Sequence, residues 1–156
     1  MPEATPSPDT QTPLPEGTAI AHSDNTGFRT TLKVAAHALV ADEPLAVGGT
    51  DQGPSPYGLL SASLAACTTM TLHLYAKMKH LAIRGIQVEV RHRKVHEPDC
   101  ENCERDASAK VDRLERTIHI DGDLTDEVRA RMMQIADRCP VHRTLAAGVR
   151  IVTRAS

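Results

Sequence analysis

Alternating apolar and polar residues predict most of the β-strands in this chain. Ile86, Val88 and Val90 alternate with polar neighbours in IQVEVRHRKVH, and a second alternation runs through LERTIHIDG, residues 114–122. Because successive side chains of a strand point to opposite faces, each segment is predicted to be a strand with one apolar face. Further strands are predicted at residues 18–22, at residues 28–40 and in VRIVTR, residues 149–154.

One long helix is predicted between Ser55 and Gly85. Ser55 is a good N-cap, and Pro56 suits the first helical position, where its missing amide hydrogen costs nothing. Gly85 is the expected C-terminal stop. Apolar residues cover most of the circumference of this helix. We therefore expect it to be buried on nearly all sides, wrapped by sheet or by a partner chain.

Two shorter helices are predicted near the C-terminus. Thr125 caps the first, and apolar residues recur at helical spacing from there to Cys139. Pro140 interrupts the pattern and starts a second helix, which Gly148 ends. The order of strands, long helix, strands, helix pair and strand predicts an α+β fold rather than a parallel βαβ fold.

Composition narrows the classes of protein to which the chain can belong. Its 156 residues predict one domain, residues 17–156, after a flexible Pro-rich tail at residues 1–16. A net charge of −2 and an aromatic content of 2% argue against nucleic-acid binding. No unbroken apolar run approaches a membrane span, and the N-terminus lacks the pattern of a secretory signal. We therefore expect no membrane segment and a cytoplasmic location.

Four cysteines carry the candidate chemistry of the chain: Cys67, Cys100, Cys103 and Cys139. In a reducing compartment such thiols are buried, bound to metal or redox-active. Cys139 precedes a predicted helix, whose free amide groups and positive dipole end stabilise a thiolate. Cys67 lies inside the long helix and, taken alone, is more simply interpreted as a small apolar residue in a helix contact.

The spacing of Cys100 and Cys103 is open to three interpretations. Together with His96 and either Asp99 or His92, these cysteines would supply four zinc ligands. The C-x-x-C pair can instead be a local redox or accessory dithiol, or it has no function. Because a single pair is weak evidence for a metal site, we predict neither a metal nor a cofactor.

Two motifs in this order resemble the OsmC/Ohr family of peroxide-handling proteins. GPSPYGLLSASLAACTTMTL is a Pro-led helix with a mid-helix cysteine, and ADRCPVHRTL places a Cys-Pro at the head of a later helix. The resemblance runs from about Gly17 to the C-terminus. The D-C-x-x-C-E insertion at residues 99–104 is similar to a branch of the family that includes modules fused to α/β-hydrolases.

The resemblance implies an OsmC-like fold, in which antiparallel sheets pack around long central helices of an intertwined homodimer. It also implies that Cys67 is the peroxidatic thiol and Cys139 the resolving thiol of a peroxidase for organic or inorganic hydroperoxides. Cys67 would become a sulfenic acid and then form a disulfide with Cys139. An external dithiol would reduce that disulfide by thiol exchange.

One position departs from the family pattern. Peroxide-reducing members pair the reactive thiolate with an arginine and a glutamate, and Tyr57 stands where the glutamate of their N-P-E motif falls. Arg29 is the candidate arginine, and the alternative for it is an exposed strand residue. Tyr57 cannot hold an arginine by charge. The departure therefore favours a second hypothesis, a non-enzymatic OsmC-fold binding or redox-sensing module, for which Cys100 and Cys103 offer a candidate metal site.

Overall fold

The structure, a computed structural model, describes residues 12–24, 26–96 and 110–155. The elements are β1 (Ala19–His22), β2 (Thr30–Val34), β3 (His37–Ala41), a 3-10 turn (Leu45–Val47), α1 (Pro56–Met78), β4 (Ile83–His96), β5 (Lys110–Gly122), α2 (Asp126–Ala136) and α3 (Pro140–Ala147). The strands form an antiparallel β1-β2-β3 sheet and an antiparallel β4-β5 pair. The chain divides into two compact units, residues 1–59 and 60–156. The predicted α+β class is confirmed.

The sheet of the first unit contains a hairpin that the sequence pattern did not reveal. Val34 pairs with His37 across a two-residue turn at Ala35 and Ala36. Ala35 has φ 51°, a left-handed conformation that is uncommon for a residue with a Cβ atom. The prediction of one strand at residues 28–40 is therefore wrong. It failed because this turn lacks the glycine or asparagine that normally marks a tight hairpin.

Asp42 organises the loop that follows β3. Its buried carboxylate accepts hydrogen bonds from the Glu43 amide at 2.8 Å, the Thr50 hydroxyl at 2.5 Å and the Gln52 amide at 3.2 Å. The Thr50 bond is the main reason that the pKa of Asp42 lies below its usual value. Gln52 in turn accepts a hydrogen bond from Arg29 Nε at 3.0 Å. The loop thus holds the arginine that sequence analysis selected.

Helix α1 begins where predicted and ends earlier. The Ser55 hydroxyl oxygen accepts a hydrogen bond from the amide three residues later at 3.2 Å, as expected of an N-cap. His80, with φ 53°, then ends the helix, and the Leu81 amide donates to the Ala76 carbonyl at 2.9 Å in a Schellman motif. Gly85, the predicted stop, lies in β4 instead. That prediction failed because a histidine rarely adopts the left-handed conformation.

Within the single chain, α1 buries only one stripe of side chains. The buried residues recur every four positions and are Leu64, Thr68, Leu72 and Ala76. Three large apolar residues on another side stay exposed by 71%, 58% and 65%, namely Met70, Leu74 and Met78. The expectation that the helix is buried on nearly all sides is therefore not met by one chain alone.

The core of the second unit lies where α1, β5 and α2 meet. Its buried members are Leu72, Ala76, Ile120, Met132, Ile135 and Ala136. Thr125 positions α2, since its hydroxyl oxygen accepts a hydrogen bond from the Val128 amide at 3.4 Å. This contact confirms the predicted cap. The core therefore joins the middle of the long helix to the strand and helix that follow it.

Helix α1 is long and apolar enough, by length and composition, to cross a membrane. The core helix of a soluble protein meets the same criterion. Helix α1 contributes Leu72 and Ala76 to a core shared with β5 and α2. In the described ranges no other helix meets the criterion. The helix is thus only weak evidence for a membrane segment.

Residues 149–154 do not form the predicted strand. Val149, Ile151 and Val152 are exposed, Ile151 by 84%. Among residues 12–24, 26–96 and 110–155, no strand pairs with this segment. A strand exists only when a neighbour accepts and donates its backbone hydrogen bonds. Apolar alternation alone could not show that this neighbour is missing.

The predicted boundary between tail and domain stays a prediction. Residues 1–11 of the tail predicted at residues 1–16 lie outside the described residues. Near the end of that range, the Leu14 amide donates a hydrogen bond to the Ala35 carbonyl at 3.2 Å. This bond joins the segment to the hairpin turn of the first unit.

Candidate functional site

Cys67 lies in the middle of α1 with its side chain partly exposed. The Thr71 hydroxyl, one turn further along the helix, forms a hydrogen bond with the Cys67 sulfur. The Val141 amide in the first turn of α3 reaches the same sulfur from another element. The thiol predicted to be reactive therefore faces the N-terminus of a second helix.

Cys139 is the N-cap residue of α3, as the sequence predicted. Its sulfur is fully buried and accepts a hydrogen bond from the His142 amide at 3.4 Å. Pro140 occupies the first helical position, where it removes an amide that needs no partner. The helix thus directs its free amide groups at the sulfur, which is the geometry that stabilises a thiolate.

The structure brings Cys67 and Cys139 together. The two thiols are close enough that each shifts the pKa of the other, and both are free. Both lie in the second unit, one on α1 and one at the start of α3. Two thiols in contact can be joined as a disulfide without moving any secondary-structure element over a long distance.

The two thiols differ in their electrostatic surroundings. Burial raises the pKa of Cys67, and the Val141 amide offsets this effect only in part. Burial also acts to raise the pKa of Cys139. Hydrogen bonding with the Cys67 thiol, the His142 amide and the Thr68 hydroxyl outweighs this effect, so the pKa of Cys139 is lowered. The surroundings therefore favour the thiol form at Cys67 and the thiolate form at Cys139.

Arg29 and Tyr57, the other residues selected from the sequence, belong to the first unit. Arg29 directly precedes β2 and donates to the neutral Oε1 of Gln52 at 3.0 Å. Tyr57 lies in the first turn of α1 and is 46% exposed. The role of Arg29 as the cation that activates Cys67 stays a prediction.

One cation connected to Cys139 was not predicted from the sequence. Arg116 on β5 donates from Nη1 to the Thr68 hydroxyl oxygen at 2.9 Å, and Thr68 is the hydrogen-bond partner of Cys139. A signal for this residue was available, because Arg116 shares the inward face of β5 with Leu114 and Ile118. A charged residue at an apolar position of a strand needs a buried partner.

The C-x-x-C motif stays untested. Asp99, Cys100 and Cys103 lie outside the described residues, and so does the side chain of His96. Among the side chains that the structure describes, no group of three or more His, Cys, Asp or Glu residues is arranged to hold a metal ion. All three interpretations of the C-x-x-C pair, namely a zinc site, a redox or accessory dithiol, and no function, therefore stay open.

Comparisons with known proteins agree with this fold. The family described as OsmC-like protein matches residues 49–154, and no curated protein matches the sequence significantly. An OsmC-like protein from Mycoplasma pneumoniae superimposes with a TM-score of 0.62 at 22% identity, covering 83% of this chain and 84% of that one. An organic hydroperoxide resistance protein OsmC from Legionella pneumophila gives 0.57 at 18% identity, covering 81% and 85%. OhrB of Bacillus subtilis, an organic hydroperoxide resistance protein, gives 0.53 at 21% identity, covering 81% and 87%.

Proposed function

Because this chain belongs to the OsmC-like protein family, we propose that it is a thiol-dependent peroxidase for organic or inorganic hydroperoxides. The single observation that carries the proposal is the contact between the free thiols of Cys67 and Cys139. Such a pair can donate two electrons to a peroxide and store the result as a disulfide. No other arrangement among the described residues combines two nucleophilic sulfurs in this way.

The proposed reaction begins at Cys67, the more accessible of the two sulfurs. The Cys67 thiolate attacks the terminal peroxide oxygen, the O–O bond breaks, and the alkoxide takes a proton to leave as an alcohol. Cys67 is then a sulfenic acid. The Cys139 sulfur attacks it, water leaves, and a Cys67–Cys139 disulfide forms. An external dithiol returns both residues to thiols by exchange.

Organic hydroperoxides are the favoured substrates within this proposal. Met70 and Leu74 follow Cys67 on the same side of α1 and remain exposed, so they offer an apolar approach for an organic tail. The Legionella and Bacillus proteins with the same fold are described as organic hydroperoxide resistance proteins. Two free cysteines are typical of a reducing compartment, which supports the proposed cytoplasmic location.

Mixing the reduced protein with an equal amount of tert-butyl hydroperoxide tests the function. We expect consumption of the peroxide together with the loss of two thiols per chain, because one disulfide forms for each peroxide reduced. Excess dithiothreitol is expected to make the consumption catalytic. Unchanged peroxide and an intact thiol count would contradict the proposal.

A non-enzymatic redox-sensing module is the second candidate. Burial raises the pKa of Cys67, which lowers the fraction of reactive thiolate at neutral pH. Tyr57 in place of the family glutamate also favours this candidate, because a tyrosine cannot hold an arginine by charge. The two candidates differ in the rate of turnover: with excess dithiol a peroxidase consumes many equivalents of peroxide per chain, whereas a sensor is reoxidised slowly and consumes few.

We also propose that the protein is a homodimer built around α1. The exposed residues Met70, Leu74 and Met78 lie along one side of the helix. Met70 and Leu74 also line an open groove of about 460 Å³ between α1 and the start of β4. An apolar surface of this kind is costly to leave in water. A second copy of the chain would cover it and enclose the approach to Cys67.

Sedimentation at micromolar concentration is expected to give about twice the chain mass of 16.9 kDa. Leu74→Lys is expected to shift the protein toward monomer, because a charge would be buried at the interface. Ala130→Lys, which adds the same charge to an exposed position of α2, serves as the control and should sediment as the parent does. A folded parent protein that sediments as a monomer would refute the dimer.

A further inference from the structure

Arg116 is nearly enclosed, although it carries a full charge. Its side chain is 12% exposed and makes three hydrogen bonds. Nη1 donates to the Thr68 hydroxyl oxygen at 2.9 Å and to the Ala136 carbonyl at 3.2 Å, and Nη2 donates to Asp137 Oδ1 at 2.7 Å. Burying a charge is costly unless its hydrogen bonds are satisfied. These contacts therefore hold the guanidinium group in one position.

One arm of this network reaches Cys139 through Thr68. A guanidinium group can only donate, so the Thr68 oxygen accepts from Arg116 and its own hydrogen stays available. Thr68 is fully buried, and its hydroxyl acts to lower the pKa of the Cys139 thiol, which favours the charged form. Hydrogen bonds in series polarise one another in a buried setting. The charge of Arg116 thus acts on the sulfur through one hydroxyl.

The other arm holds the backbone that carries Cys139. The Ala136 carbonyl accepts from Arg116 Nη1 and also from the Cys139 amide at 3.3 Å. The Asp137 carboxylate is held by Nη2, so its negative charge is neutralised beside the turn. Arg116 therefore holds the last residue of α2 and the first residue of the short connection that leads to Cys139.

We propose that Arg116 is a positioning residue for Cys139, acting through the Thr68 hydroxyl and the 136–139 turn to hold Cys139 as the thiolate of the thiol pair. Of the ionisable side chains in this network, Cys67 acts on the sulfur directly, while Arg116 and Asp137 are connected to it through Thr68 and the 136–139 turn. Only Arg116 among these brings a permanent positive charge. Asp137 opposes it, so removing Arg116 both withdraws a cation and leaves an anion.

The inference rests on the proposed function and assigns a proton to its first step. Cys139 as thiolate accepts the Cys67 proton, so Cys67 becomes the thiolate that attacks the peroxide while Cys139 becomes a thiol. The alkoxide takes a proton from water. Cys139 then attacks the Cys67 sulfenic acid, its proton leaves with the hydroxyl as water, and the disulfide forms. Cys139 is thus the base of the first step and the nucleophile of the second.

Titration of Cys139 tests this inference without any peroxide. In a variant that keeps only Cys139, with the other three cysteines changed to serine, the ultraviolet absorbance of the thiolate is followed against pH. The midpoint of this variant is the reference value, because it lacks the Cys67 thiol that helps to lower the pKa of Cys139. Arg116→Gln and Thr68→Val are each expected to move that midpoint up by about one pH unit. Thr68→Ser keeps the hydroxyl and should restore the parent curve.

Arg129→Gln is the matched control, because Arg129 is also a partly buried arginine that donates to two carbonyls, those of Ile120 and Gly122, at 2.8 Å each. It should leave the midpoint unchanged. An unchanged midpoint in folded Arg116→Gln overturns the proposal, and Thr68→Val decides in the same way if Arg116→Gln does not fold. Shifted midpoints in a protein that consumes no peroxide would instead overturn the proposed function alone.

Discussion

Cys67→Ser is expected to abolish peroxide consumption, with a loss of at least about a thousandfold relative to the parent protein. The serine hydroxyl fits the same space in α1, but it is a far weaker nucleophile at neutral pH than a thiol and forms no sulfenic acid. Nothing else in the contact region can replace the sulfur, because Cys139 is fully buried and Thr68 carries only a hydroxyl. Loss of peroxide over time, measured with dithiothreitol as reductant, checks the result.

Two further variants separate the roles of the cysteines. Cys139→Ser should form the Cys67 sulfenic acid more slowly, because the proposed base of the first step is gone. The acid should then persist for dimedone to trap, since the partner that would form the disulfide is gone too. Cys100→Ser with Cys103→Ser should keep the first oxidation step intact. Loss of that step in the folded double variant would sink the assignment of Cys67, as would full activity in Cys67→Ser.

Leu72→Ala is expected to lower the free energy of unfolding by about 2–5 kcal/mol, because it opens a cavity in a core that cannot fully collapse. Leu72 is fully buried between α1, β5 and α2 and belongs to the same cluster as Met132 and Ile120. The loss is a large part of the stability of an ordinary domain, which is about 5–15 kcal/mol. The melting temperature should fall by roughly 4–20 °C.

Leu45→Ala is the control for this prediction. It removes the same atoms at a position that is 72% exposed in the 3-10 turn after β3. Exposed substitutions usually change stability by less than about 0.5 kcal/mol. Equal melting temperatures for Leu72→Ala and the parent would mean that the cluster around Leu72 is not the core that holds the second unit together.

Much of the fold followed from local chemistry that the sequence displays openly. Ser55 and Thr125 each accept the hydrogen bond expected of an N-cap. Pro140 starts α3 because its ring fits the first helical position. Ser55 and Thr125 accept a hydrogen bond from a backbone amide three residues later, and Pro140 has no amide hydrogen that would need a partner. Each prediction depends only on residues close in sequence, so no knowledge of distant contacts is needed.

The failures share a different cause. Ala35 and His80 adopt left-handed conformations that are uncommon for residues other than glycine. The hairpin turn and the end of α1 therefore lack the glycine or asparagine that normally indicates such a position. Residues 149–154 alternate like a strand, yet whether a strand forms depends on a partner that the pattern cannot report. These outcomes are decided by the surrounding structure rather than by local preference.

The two sulfurs of the candidate site were predictable from the sequence, but the residues that surround them were not. Cys139 was recognisable from the Cys-Pro at a helix start, and the resemblance to a known family added Cys67. Arg116 escaped notice because a single arginine in an alternating strand looks like an interruption of the apolar face. Its meaning depends on Thr68, which lies 48 residues away along the chain. Such a pairing becomes visible only when the strand and the helix are in contact.

The contact between Cys67 and Cys139 also affects how readily Cys67 is irreversibly oxidised at high peroxide concentration. A sulfenic acid has two fates, closure to a reversible disulfide or attack by another peroxide to an irreversible sulfinic acid. The second fate accelerates as oxidant accumulates, whereas ring closure inside one molecule does not depend on oxidant concentration. Because the two sulfurs are already neighbours, closure needs no unfolding of α1 or α3 and gains the full advantage of proximity. The geometry therefore favours recovery over permanent inactivation when oxidant is abundant.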